Sequence, residues 1–282
     1  MNSAFLLIVI LATTFQNVMM KQFGKKFENG TITFSAFSTF FMWLFFLAFA
    51  KFHLNMVAGL LPYILWYALS FCIALIGITK ALSCGALSIT SLIFSYSLIL
   101  PLIYGIVFCN EKITLLMIIG FICLSVSLAL INYTKEKIKI SKKWLVFLMV
   151  GFCGNGICSV TMKAEQDAFQ GNYKCELMVG SLFIVLIFLI LLALFTERKQ
   201  MKQIIRHGWY YGASHGGSNG LCNYFVMVLT NSMNASLLFP LMTAGGVLLT
   251  SACSLLIFKE RLTKIQCLGM TIGIMAVIFL NV

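Results

Sequence analysis

Long apolar stretches alternate with short polar gaps along the whole chain. Cutting the sequence at charged and turn residues leaves ten apolar segments of about 20 residues each, the length that crosses a bilayer as a helix. None of them alternates apolar and polar residues as the strands of a membrane barrel do. The segments are residues 3–21, 33–50, 58–79, 86–108, 113–133, 144–163, 175–196, 207–229, 235–258 and 263–281. The pattern predicts an all-α integral membrane protein with ten transmembrane helices, spans 1 to 10.

The composition agrees, since 61% of the 282 residues are hydrophobic and only 10% are charged. A soluble domain is nearer half apolar and a quarter charged, which excludes a cytosolic enzyme, a disordered chain and a secreted disulfide scaffold. The net charge of +12 comes from basic residues in the short gaps, where they would contact lipid headgroups, so no nucleic-acid partner is expected. The ten cysteines show no CxxC pair and no zinc spacing to histidine, so we expect packing residues and neither a metal nor a cofactor.

The sequence repeats itself at an offset of 149 residues. Residues 111–114 (EKIT) are matched by 260–263 (ERLT), and Ala86 is matched by Ala235 at the same offset. Five spans per copy is an odd number, so the second copy would enter the membrane from the opposite face, which makes an inverted repeat. We therefore divide the chain into an N-terminal five-helix repeat (1–134), a basic central loop (135–143) and a C-terminal five-helix repeat (144–282).

Four short stretches resemble the EamA-like members of the drug/metabolite transporter superfamily. They are residues 86–91, 101–114 (PLIYGIVFCNEKIT), 235–246 (ASLLFPLMTAGG) and 258–269 (FKERLTKIQCLG). The resemblance implies two five-helix halves, a central cavity lined by spans 1, 3, 4, 6, 8 and 9, and alternating access from the two sides of the membrane. Spans 5 and 10 would lie at the back of such a protein.

Polar residues inside the apolar segments are the candidate lining of that cavity, because a polar group in hydrocarbon usually faces a neighbour or a wet space. Span 8 is the richest, with His215, Asn219 and Asn223 at every fourth position on one helix face. This row could line a translocation path or bond span 8 to a neighbour, and a parallel row of glycines would allow close approach. The expected substrate-binding residues are Gln16, Asn17, Ser91, Ser95, Tyr96, Asn155, His215, Asn219 and Thr243.

Three charged residues at segment ends are candidate helix-end or gate residues, namely Glu111, Glu260 and Lys80. Each glutamate precedes a span, where it would cap a helix start or form a gate salt bridge. Lys80 could attract an anionic substrate or extend to the headgroups. None of the eight acids, Glu165 included, falls in the middle of an apolar segment, so proton exchange on a membrane carboxylate is not expected. His215 is then the one intramembrane group able to titrate near neutral pH.

Sixteen basic residues lie in odd-numbered loops and four in even-numbered loops. The positive-inside rule therefore places both termini outside, whereas the family resemblance implies both inside, and the orientation stays open. We expect a monomeric, multi-pass plasma-membrane transporter of a small organic solute, with that solute and the lipid bilayer as its partners. An enzyme is not expected, because no acid or metal cluster accompanies the three histidines. The alternative is a structural, regulatory or lipid-handling membrane protein without transport.

Overall fold

The computed structural model describes residues 2–27, 30–84, 90, 93–131, 133, 141–258 and 263–281. These residues are almost entirely helical and include no strand. The α-helices run Asn2–Lys26 (α1), Thr31–Phe49 (α2), Leu61–Cys84 (α3), Ile99–Phe108 (α4), Leu115–Ile131 (α5), Lys142–Phe169 (α6), Lys174–Thr196 (α7), Arg198–Ser232 (α8), Ala235–Phe258 (α9) and Lys264–Asn281 (α10). Short 3-10 turns at Ala58–Leu60 and Tyr96–Leu98 lead into α3 and α4.

Six helical stretches of the described chain are long and apolar enough to cross a membrane. They are α1, α2, Ala58–Ala81, α6, α7 and Ala235–Cys253 within α9. Three further apolar helices, Ile93–Phe108, Leu115–Ile131 and Lys264–Leu280, are shorter. Backbone amides in hydrocarbon must find their partners within the segment, which is why apolar stretches of this length fold as helices. The protein is therefore an all-α membrane protein, as the sequence predicted, while the count of ten spans stays a prediction.

Two compact units make up the chain, and each combines segments from both halves of the sequence. Unit 1 comprises Met1–Leu69 and Glu165–Asn231, and unit 2 comprises Ser70–Ala164 and Ser232–Val282. In unit 1, α2 packs along α7. In unit 2, α5 packs along α10, and α9 contacts α4, α5 and α10. The division at the basic loop 135–143 concerns the two sequence repeats, and that division stays a prediction.

In unit 1, the start of α2 is held by a carboxylate from the end of α7. Gly30 precedes α2 with a φ of 109°, a left-handed conformation that glycine adopts without strain. The amides of Ile32 and Thr33 donate to Glu197 Oε1 and Oε2 at 3.0 and 2.7 Å, and the Thr33 hydroxyl donates to Oε2 at 2.8 Å. Glu197 thus satisfies amides that have no partner within their own helix and lies at the positive end of the helix dipole.

Glycines at every fourth position bring α8 close to α2. A Cβ at Gly216 would lie 2.2 Å from the carbonyl oxygen of Ser38, and a Cβ at Gly212 would lie 2.7 Å from Phe37 Cβ. Gly217, on another face of α8, has open space within 4 Å among the described atoms. The close approach that the glycine row predicted is therefore confirmed, and it depends on the absence of side chains at these positions.

In unit 2, α5 and α10 begin at Leu115 and Lys264, which are 149 positions apart, the offset of the predicted repeat. Two side chains bond across this helix pair: Ser127 Oγ donates to the Gly269 carbonyl at 2.7 Å, and Gln266 Nε2 donates to the Ile131 carbonyl at 3.2 Å. The Gly269 and Ile131 carbonyls thus accept hydrogen bonds from side chains of the facing helix, and the pair packs beside α9.

Candidate functional site

In unit 1, the polar row of α8 contacts both α1 and α2. His215 Nδ1 and Ser38 Oγ of α2 form a hydrogen bond of 2.6 Å, and the edge of the imidazole meets the Phe34 ring with 5.2 Å between centroids. On the adjacent row, Ser218 Oγ donates to the Ala12 carbonyl of α1 at 3.0 Å. His215 therefore makes an interhelical hydrogen bond, one of the two roles that its position in the sequence suggested. Its place along a translocation path stays a prediction.

The next two members of the row bond to each other along the helix. Asn223 Nδ2 donates to Asn219 Oδ1 at 2.7 Å and to the Asn219 carbonyl at 2.9 Å. Both side chains are half-buried. The side-chain amide of Asn219 is therefore oriented from within α8, which leaves its role as a substrate ligand a prediction.

Gln16 lies where α1 meets α8. The Thr13 hydroxyl and the Cys222 thiol are 3.4 Å apart, and the Gln16 side chain lies beside them. The Nε2 atom of Gln16 is buried and makes no hydrogen bond within the described part of the chain. Asn17, its neighbour in sequence, is exposed. Because a buried donor without an acceptor costs free energy, Gln16 is the predicted residue of unit 1 best suited to bind an acceptor on a ligand.

Unit 2 contains a cavity of about 160 Å³ among α4, α5 and α9. Three of the predicted substrate-binding residues line it: Ser95, Tyr96 and Thr243. The other lining residues are Leu98, Ile99, Leu102, Phe121, Leu124, Ser125, Leu128 and Pro240. The family resemblance implies a back position for span 5, whereas α5 supplies one wall of this cavity. The apolar faces of α4 and α5 thus border a partly open space with a few polar groups at its edge.

Two hydroxyl groups of this cavity, those of Tyr96 and Thr243, have their donors engaged and their acceptors available. The Tyr96 hydroxyl donates to the Ser125 carbonyl at 2.7 Å, and the Thr243 hydroxyl donates to the Phe239 carbonyl at 2.9 Å. A hydroxyl oxygen that donates its one proton keeps lone pairs that can accept a hydrogen bond. Pro240, inside α9, lacks an amide proton and so cannot bond the carbonyl one turn earlier, that of Ser236. The cavity is therefore built to accept hydrogen bonds.

Asn155 on α6 fixes the segment that carries two of the lining residues. Its Nδ2 donates to Ser97 Oγ at 2.6 Å, and Ser97 is fully buried in the 3-10 turn Tyr96–Leu98. A Cβ at the neighbouring Gly156 would lie 2.7 Å from the Ser97 carbonyl oxygen. The backbone of α6 and the Asn155 side chain therefore both lie close to Ser97. Asn155 is thus a positioning residue for Ser95 and Tyr96, while direct contact with a substrate stays a prediction.

The predicted helix-end residues divide between the described and undescribed parts of the chain. Glu111 accepts hydrogen bonds from the Ala235 and Ser236 amides, both at 2.8 Å. It therefore caps α9, rather than the helix that follows it in sequence. Lys80 is exposed on α3. Glu260 and Ser91 lie outside the described residues.

Ser38 and Glu165, neither of which was predicted to be a site residue, occupy buried positions. Ser38 lies in an aromatic segment in which Thr31, Ser35 and Ser38 are spaced by four and three residues and so share one helix face, a signal that could have pointed to it. Glu165 was assigned to a loop after span 6, but α6 continues to Phe169 and leaves this carboxyl group 0% exposed. The run 163–168 (KAEQDA) is rich in strong helix formers, a signal that could have predicted the longer helix.

Comparison with known proteins gives information on the fold and none on the function. No protein family matches the sequence, and no curated protein matches it. Among solved structures, 28 chains match. One of them, described as "Crystal structure of protein", has a TM-score of 0.80 and 11% sequence identity, covering 99% of this chain and 95% of that chain. Because one fold can carry unrelated functions, this likeness shows a shared fold and leaves function to the chemistry of the site.

Proposed function

We propose that the protein is a secondary transporter of a small organic solute in the plasma membrane and belongs to the drug/metabolite transporter superfamily. The observation that carries the proposal is the cavity of unit 2, because residues from two separate spans converge on it. Ser95 and Tyr96 come from span 4, and Thr243 comes from span 9. At the repeat offset of 149 residues, Ser95 corresponds to Ala244, which is next to Thr243. Counterpart spans of the two proposed repeats thus contribute residues to one space, as in transporters built by duplication.

Helix pairing supports the proposed ten-span inverted repeat. In unit 2, α5 packs along α10 and α4 contacts α9; in unit 1, α2 packs along α7. Each pair joins a predicted span to the span five places later, which is its counterpart in the other repeat. A duplicated chain with a pseudo-two-fold axis is expected to pair counterparts in this way, and the odd number of spans per repeat implies that the halves are inverted.

The cavity also indicates the class of solute. Its volume of about 160 Å³ is close to the ~150 Å³ of an apolar protein cavity that binds benzene. Its hydroxyl groups at Tyr96 and Thr243 present acceptors, and none of its described lining residues is charged. The solute is therefore a neutral compound with an apolar ring and a hydrogen-bond donor, bound by shape and by one or two hydrogen bonds.

A ligand-binding screen tests this function. Purified protein is heated with a panel of neutral, ring-containing metabolites, and at least one compound should raise the unfolding temperature, because a ligand that binds only the folded state stabilises it. Thr243→Phe, which fills the cavity, should remove that shift.

Thr271→Phe is the matched control for this screen. Thr271 is exposed on α10, and its hydroxyl donates to the carbonyl four residues earlier, as the Thr243 hydroxyl does. Thr271→Phe should keep the wild-type rise in unfolding temperature with the compound. Absence of any stabilising compound, or an equal response of the two variants, would contradict the proposal.

A structural, regulatory or lipid-handling protein without transport is the second candidate, and the polar row of unit 1 favours it. His215 and Ser218 bond to neighbouring helices as residues of a purely structural bundle would. In that case the substitutions in the row would lower stability, no solute would stabilise the protein, and the screen above would give no shift.

A further inference from the structure

Glu165 is a fully buried acid whose carboxyl group is only half satisfied. It and Gln166, near the C-terminal end of α6, are both 0% exposed. Gln166 Nε2 donates to Glu165 Oε2. Glu165 Oε1 and Gln166 Oε1 are also buried, and neither has a hydrogen-bond partner among the residues that the structure describes. Two buried acceptor atoms in adjacent side chains therefore lack donors, and each such atom is expensive to keep in an apolar interior.

The other acids with described contacts show how unusual this is. Glu111 and Glu197 accept backbone amide hydrogens at helix starts. Glu176, on α7, accepts the Asn55 amide at 3.2 Å. Glu165 has the same chemistry and the deepest burial, yet it receives one amide hydrogen from Gln166 and no backbone donor among the described groups.

Charged and polar groups surround Glu165 from the start of α7 and the turn before it. Lys174 and Glu176 are the ionisable groups that act on its carboxyl group. Lys174 Nζ donates to the Gly171 carbonyl. A Cβ at Gly171 would lie within 3.3 Å of Lys174 Nζ, Gln166 Oε1 and Asn231 Nδ2, so these atoms converge on one point. On α6 itself, the flanking charged residues are Lys163 and Asp167.

The neighbouring groups and the burial of Glu165 limit the kinds of ligand that can bind to its Oε1 atom. A metal cation needs several oxygen ligands, and here the ammonium group of Lys174 would repel it. An organic cation needs room that two side chains with 0% exposure do not leave. A proton needs one acceptor and almost no space, and it removes the charge that is costly to bury. We propose that Glu165 is a proton-binding site that couples solute movement to proton movement. This inference rests on the proposed transport function.

Protonation of Glu165 can be measured directly, without a substrate. Purified wild-type protein is titrated with acid while infrared difference spectroscopy follows the C=O stretch of protonated carboxyl groups. A buried carboxyl band should appear in the wild type and be missing in Glu165→Gln. Glu176→Gln is the matched control, since it removes a buried acid that already has a backbone donor, and it should keep the band. Glu165→Asp retains a carboxyl group and should shift the frequency of the band. This second variant keeps the test decisive if the Glu165→Gln protein fails to fold.

Coupling is then tested in proteoliposomes with a solute found by the ligand screen. Wild-type flux should increase when a proton gradient is applied, and Glu165→Gln should move the solute equally well with and without the gradient. Wild-type flux that ignores the gradient, or a band that survives in Glu165→Gln, would overturn the proton site while the transporter stands. Failure of the wild type to move any solute would instead overturn the transport function itself.

Discussion

The two compact units use their intramembrane polar side chains differently. In unit 1, the polar groups of α8 bond to other protein groups: His215 to Ser38, Ser218 to the Ala12 carbonyl, and Asn223 to Asn219. In unit 2, Tyr96 and Thr243 bond to backbone carbonyls and still face a cavity of about 160 Å³. Polar residues of similar appearance in the sequence thus serve as helix contacts in one unit and as a cavity lining in the other.

Helix separation explains the difference. The glycines of α8 bring its backbone against α2, so the polar side chains nearby reach each other and leave little room for a ligand. In unit 2, the proline within α9 and the 3-10 turn before α4 interrupt regular helix packing, and a space remains. A polar residue in a span therefore indicates a ligand site only where its helix is held away from its neighbours.

The largest effect is expected at the glycine contact of unit 1. In Gly216→Ala, the new methyl group would meet the Ser38 carbonyl oxygen at 2.2 Å, and this overpacking should lower the free energy of unfolding by about 3 kcal/mol. Gly217→Ala is the control, because its Cβ has open space, and it should match or exceed wild-type stability. Chemical denaturation in detergent measures both. Equal stability of the two variants would show that α8 does not depend on a smooth face.

The helix caps should give the next largest effect and can be compared between units. Glu197→Ala removes three hydrogen bonds at the start of α2, and Glu111→Ala removes two at the start of α9. We expect Glu197→Ala to lower the free energy of unfolding by about 2 kcal/mol and Glu111→Ala by less. The same denaturation experiment measures both values. A Glu111→Ala protein of normal stability but altered transport would favour a gate over a cap.

Filling the cavity of unit 2 should affect transport more than stability. Thr243→Phe is expected to lower solute flux by about tenfold or more, since the added ring occupies the space where the solute binds. Flux in proteoliposomes, normalised to folded protein, measures the effect, with Thr271→Phe as the lipid-facing control. Unchanged flux in Thr243→Phe would show that the cavity lies off the transport route.

The smallest effect is expected for the bond between α2 and α8. A double-mutant cycle with Ser38→Ala and His215→Phe should give a coupling energy of about 0.6–1 kcal/mol, the usual range for such bonds between membrane helices. Additive effects would mean that the two side chains do not interact. If His215 also lines the transport path, His215→Ala should reduce flux while Ser38→Ala leaves it nearly unchanged.

The fold class could be predicted from the sequence because the apolar segments are long, and in lipid such segments satisfy their backbone amides by forming helices. The ends of the helices were harder to predict. Span 6 was predicted to stop at residue 163 because Lys163, Glu165 and Asp167 interrupt the apolar run, yet α6 continues to Phe169. A hydropathy pattern ends the span at the charged residues, whereas the backbone follows helix propensity and stays helical through them.

The candidate site was predictable by residue type but not by partner. Ser95, Tyr96 and Thr243 were chosen as polar groups within apolar spans, and they share a cavity. Ser38 and Ser97, which bond His215 and Asn155, were not predicted, because the sequence does not show which residue of another helix a serine will bond. Glu111 was expected at a helix start, but that the helix would be α9 depends on a tertiary contact between residues 124 positions apart.

Solute counterflow tests the account most directly. Proteoliposomes containing the wild-type protein are loaded with an unlabelled compound that stabilises it, diluted into a trace of the labelled compound, and followed over time. A transporter should give a transient accumulation of label inside the vesicles, which should be absent from empty vesicles and strongly reduced in Thr243→Phe. Folded wild-type protein that binds the compound yet gives no accumulation above empty vesicles would contradict the claim that this protein is a transporter.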